Sequence, residues 1–137
     1  MRALVAGGLM AVLVGVAVCA SEGADKPAKK AKRPHLGSIR HVVLFQFKDD
    51  TSPEQVKKIE DAFRALPAKI PQIADFEWGT NHSPEGLADG FTHCFLVTFK
   101  DEKARDAYLP HAAHQAFVEV LKPHLKKVLV VDYTARD

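Results

Sequence analysis

The chain has 137 residues, 47% hydrophobic and 26% charged, with a formal net charge of +2. That is room for one ordinary domain and a short extra segment, and the balance excludes wholesale disorder. The charge is uneven: residues 1–37 hold six Lys/Arg against two acids, and residues 38–137 hold thirteen against fifteen, so the larger part does not call for a polyanionic partner.

Residues 1–20 read as an export signal. Arg2 gives a positive start, Ala3 to Val18 is apolar or glycine throughout, and Val18-Cys19-Ala20 offers small residues for cleavage after Ala20. The apolar run is short for a membrane span of about twenty residues. The expected location is therefore periplasmic or extracellular. A retained anchor and lipoprotein processing at Cys19 are the alternatives, and membrane contact is expected only if Cys19 is lipidated. Residues 21–37 are rich in Lys, Ala and Pro and lack hydrophobic periodicity, which marks a flexible linker. No aromatic residue is interleaved there for base stacking, so no nucleic acid is expected. With Cys19 removed, Cys94 is the one cysteine left, and no internal disulfide is expected.

The globular part, residues 38–137, alternates strand and helix signals. Ile39 to Phe47 is β-branched and aromatic, and reads as a strand. Its period of two puts Ile39, His41, Val43, Phe45 and Phe47 on one face, and Arg40, Val42, Leu44 and Gln46 on the other. Ser52-Pro53-Glu54-Gln55 is a helix start with a capping box, and Val56, Ile59, Phe63 and Leu66 form its stripe. Phe76 to Gly79 is a weaker strand, and Asn81 to Gly90 a loop. Phe91 to Phe99 is a strong third strand, with His93 and Cys94 pointing apart. Asp101 caps a short helix through Tyr108, which Pro110 breaks. A further helix runs from about Ala112 to Lys122, with Phe117, Val120 and Leu121 as its stripe. Lys127 to Thr134 is the last strand.

The order β-α-β-β-α-β is the split βαβ plan, an α+β ferredoxin-like fold with an antiparallel sheet and helices on one face. Within it the first and third strands are expected as central, parallel neighbours. The second face of the sheet is also apolar. It would be bare in a monomer, so the expected partner is a second copy of the chain.

Histidine carries the chemistry. His41 and His93 share the apolar face with several phenylalanines, among them Phe95, which suits either a small-molecule pocket or two hydrogen-bonded core histidines. Tyr108, His111 and His114 cluster at the Pro-broken helix junction. If His114 lies in the first turn of the new helix, the helix dipole would depress its pKa and supply a neutral base. Tyr108 could donate to a developing oxyanion. His111 and His114 with His41 or His93 offer a weaker metal reading, but no carboxylate or cysteine stands at a telling spacing, so neither metal nor cofactor is expected. His82 and His124 are expected at the surface.

Together, Ile39 to Phe45, Trp78-Gly79, Ser83 to Gly86, Tyr108 to Phe117 and Val131-Asp132-Tyr133 resemble the stress-responsive A/B barrel (Dabb) family. The resemblance covers nearly all of residues 38–135. It implies a dimeric α/β barrel. One characterised type within the family is a plant polyketide cyclase that works by intramolecular aldol condensation without a metal. By that resemblance the catalytic base falls on His114, its supporting tyrosine on Tyr108, and further pocket histidines on His41 and His93. Ala112 stands where the family usually has proline, and Phe63 where the cyclase has a pocket tyrosine. Three functions are thereby expected as alternatives. The first is an exported homodimer binding a small, partly apolar ligand, with His41, His93, His111, Phe63 and Phe95 as ligand-binding residues. The second is a cyclase-like enzyme using His114 and Tyr108. The third is a structural stress-stability oligomer without catalysis.

Overall fold

A computed structural model describes residues 34–137. The expected export signal and residues 21–33 of the linker lie outside the described residues. The chain runs β1 (Ile39–Phe47), α1 (Pro53–Arg64), β2 (Ile73–Thr80), β3 (His93–Phe99), α2 (Glu102–Tyr108), α3 (Ala112–Leu121), a 3-10 turn (Lys122–His124) and β4 (Leu125–Thr134). One four-stranded sheet has the order β2-β3-β1-β4.

Every neighbouring pair in the sheet is antiparallel. The expected parallel pairing of β1 with β3 is corrected. The α1 crossover returns the chain so that β2 runs with β1. The loop after β2 then reverses direction, so β3 opposes both.

Local chemistry sets the helix boundaries. At α1, Ser52 N–H donates to Gln55 Oε1 at 2.9 Å, and Gln55 N–H donates to Ser52 Oγ at 3.3 Å. This reciprocal box satisfies two otherwise unpaired donors. Asp101 caps α2 by accepting from Ala104 N–H at 2.9 Å. β2 begins three residues earlier than the sequence pattern suggested. Ile73-Ala74-Asp75 does not alternate cleanly, because its register with β3 shifts between Ile73 and Asp75.

The helices cover one face, called inner here. Ile59 and Phe63 of α1 and Phe117 and Leu121 of α3 bury against Val43, Phe45, Phe95 and Val97. Val120, expected in the α3 stripe, is exposed. Leu66 and Ile70, beyond the end of α1, are fully buried and extend the core under the turn. The outer face carries Val42, Leu44, Leu96, Leu129 and Val131 with no element over it among the described residues. Leu129 and Val131 are 44% and 47% exposed. At one end of that face, the last linker residues form a turn: Gly37 N–H donates to Ala135 O at 2.9 Å, and His35 pairs with Asp75 at 3.1 Å.

Candidate functional site

The break between α2 and α3 builds the site. Tyr108 ends α2 and is fully buried on the inner side. Pro110 and His111 turn the chain, and His114 lies in the first turn of α3. The Tyr108 ring is 4.3 Å from the His114 ring and 5.9 Å from the His41 ring, centroid to centroid. These three polar residues line a cavity of about 280 Å³ whose walls are otherwise apolar, including Phe63, Phe117 and Val130. Phe63, expected as a ligand-binding residue, lines this cavity. Among the described residues no carboxylate, lysine or arginine lines the cavity.

His114 is fixed in one orientation. Its Nδ1 lies 2.9 Å from the Leu109 carbonyl oxygen. A carbonyl can only accept, so Nδ1 carries the proton and Nε2 is the nitrogen left to accept another. Burial holds the His114 pKa below the ordinary histidine value, and the nearby His41 and His111 push the same way against the Leu109 bond. The direction agrees with the expectation from the helix dipole, but loss of solvent is the leading cause. Burial also raises the Tyr108 pKa well above its usual value, so the phenol stays neutral and able to donate.

The His114 shift fixes a pH effect on stability. The folded form releases its proton at a lower pH than the unfolded chain, so the unfolded chain binds more protons between the two values. Stability contributed by this group is complete above about pH 6.5 and declines as pH falls through the lower folded value. Urea midpoints at about pH 7.5 and about pH 5.5 should differ less in His114→Gln than in the parent protein.

His41 has a support that the sequence did not reveal. Its Nδ1 lies 2.6 Å from Asp132 Oδ1, and Asp132 Oδ2 accepts from Arg105 at 3.0 Å. The signal was present as parity: Val128, Val130 and Asp132 alternate on β4, and β1–β4 pairing sets Asp132 opposite His41. Replacing Asp132 with alanine leaves a nearly buried His41 ring N–H without an acceptor. The expected loss is about 1–3 kcal/mol, read by urea unfolding.

Three expected ligand-binding residues stand elsewhere. His93 is buried on the inner face, but the antiparallel register places it beside Phe45, whereas His41 lies beside Val97. That is four residues along the strand, about 13 Å. His93 is held instead by Glu60 at 3.0 Å and Thr92 at 2.8 Å, with Trp78 stacked parallel to it. Phe95 is fully buried core and does not line the cavity. His111 caps α3: its Nδ1 accepts from Ala113 N–H at 3.2 Å. Cys94 faces outward, opposite to His93, and burial raises its thiol pKa. Among the described residues no group of three or more His, Cys, Asp or Glu is placed to hold a metal ion. A larger cavity, about 600 Å³, lies between the 81–91 loop and the outer face and contains neither His114 nor Tyr108.

A ferredoxin-like α+β domain with a polar cluster at a broken helix junction defines a recognisable class. Residues 39–135 match the Stress Responsive A/B Barrel Domain, and the chain belongs to that family. It is 38% identical over 97 residues to the stress-response A/B barrel domain-containing protein HS1 of Arabidopsis thaliana, covering 71% of this chain and 89% of that one. It is 29% identical over 99 residues to olivetolic acid cyclase of Cannabis sativa, covering 72% and 98%. Among solved structures, hydroxynitrile lyase from Passiflora edulis superposes with a TM-score of 0.70 at 26% identity, covering 76% and 97%. A dimeric ferredoxin-like protein of unknown function from Thermobifida fusca gives 0.61 at 30% identity, covering 71% and 90%.

Proposed function

We propose that this is an exported homodimer whose inner cavity takes a small, partly apolar, neutral carbonyl compound and moves a proton on it. One observation carries this reading. His114 spends Nδ1 on Leu109 and keeps Nε2 as an acceptor, in a largely apolar cavity beside the neutral Tyr108 phenol. A neutral imidazole can take an acidic α-proton, and a phenol O–H can stabilise the oxyanion that forms. No lysine or arginine among the described residues lines the cavity to pair with a free carboxylate, which favours a neutral ligand. Chemistry of the cyclase or lyase type in two relatives is in keeping with this acid–base pair.

The dimer is supported by the apolar outer face, which no helix covers among the described residues, and by dimeric structural relatives. Light scattering on the protein at micromolar concentration should give twice the chain mass, and a monomer would refute the pairing. The ligand reading is tested by α-proton exchange. Small aldehydes and ketones are incubated with the protein in deuterated water and followed by proton NMR. Exchange above the buffer rate for at least one compound is expected. Buffer-rate exchange across the panel, with no histidine resonance moving, would defeat it.

A further inference from the structure

A second cluster lies at the end of the outer face, away from His114. Arg40 on β1 is 9% exposed, an unusual burial for a guanidinium. Its Nη2 donates to Glu77 at 3.2 Å, while Nη1 is buried with no hydrogen-bond partner among the described residues. The turn at residues 34–37 explains the burial. It is tied to Ala135 beyond one sheet edge and, through His35, to Asp75 on the other, so it crosses the sheet end that carries Arg40. Beside Arg40 is a cavity of about 210 Å³ that His35, Tyr133 and Arg136 also line, and among the described residues no carboxylate lines it.

A buried charged donor left unpaired is costly, and native proteins rarely leave one so. Two guanidinium groups, which can only donate, and a phenol that can donate line one cavity and suit an acceptor-rich guest. Arg136 has the fork geometry suited to planar or tetrahedral oxyanions. The carboxylates at hand, Glu77 and Asp75, are already engaged with Arg40 Nη2 and His35. Asp137, next to Arg136 in the chain, has a partner of its own.

We propose that this cavity is a binding site for a small oxyanion, a phosphate or carboxylate group, held by Arg40 and Arg136. The site is independent of the inner cavity and of the proton chemistry placed there.

The test is a titration of the full chain with inorganic phosphate and, separately, with acetate. Chloride holds the ionic strength constant, and the arginine side-chain N–H resonances are followed by NMR. A saturable shift at Arg40 and Arg136 is expected with at least one anion, weakened about tenfold in Arg136→Ala, whose exposed position leaves the fold intact. Response to phosphate alone assigns a phosphate site, and response to acetate alone a carboxylate site. No saturable shift with either, or equal binding in Arg136→Ala, overturns the proposal. So does a high-resolution crystal structure grown in phosphate that shows only water at Arg40 Nη1.

Discussion

Replacing Phe95 with alanine is expected to cost about 3–5 kcal/mol of stability, the range for removing a large buried aromatic side chain. Phe95 is 0% exposed at the centre of the inner face. Its ring lies 4.5 Å from Phe63, 5.1 Å from Phe45 and 5.5 Å from Trp78, so it joins α1, β1 and β2. Its removal opens a hole that rings from three elements cannot all collapse into. Domains of this size hold only about 5–15 kcal/mol in total. Urea unfolding should show the midpoint falling sharply, and Phe95→Leu should recover most of the loss. A change below about 1 kcal/mol would mean that Phe95 does not tie these elements together.

The second large effect is chemical. His114→Gln is expected to lower any exchange or turnover at the inner cavity by about 10²–10⁴-fold, the usual contribution of a positioned general base. Glutamine can still reach the Leu109 carbonyl, as Gln115 already does at 2.8 Å, so the helix start should survive. It offers no nitrogen able to take the proton. Tyr108→Phe should lower the rate with little change in fold, because the ring stays packed on Phe99 at 5.0 Å. Unchanged rates in His114→Gln would remove the assigned base.

Much of this architecture is legible in the sequence. The Ser52–Gln55 box, the Pro110 break and the parity of β1 and β3 all follow from short-range chemistry, and each appears in the structure. Parity gives the face of a strand but not the position along it. His41 and His93 were rightly put on one face, yet strand direction decides whether they meet. The antiparallel register sends them to opposite ends, one to Asp132 and the other to Glu60. Asp132 was hidden for a related reason. It is 91 residues from His41 in sequence, and only the β1–β4 pairing joins them. His111 looked like a site residue because it stands next to the junction. Its task as helix cap is one usually given to Ser, Thr, Asp or Asn, so its residue type did not announce it.

The state of His114 is the point on which the functional reading turns. Nitrogen-15 NMR of the ring, followed through a pH titration, reports both its tautomer and its pKa. A neutral ring with the proton on Nδ1, titrating below about 6.5, is the predicted result. A proton on Nε2 in the neutral form, or a pKa at or above that value, would contradict the assignment of His114 as the base.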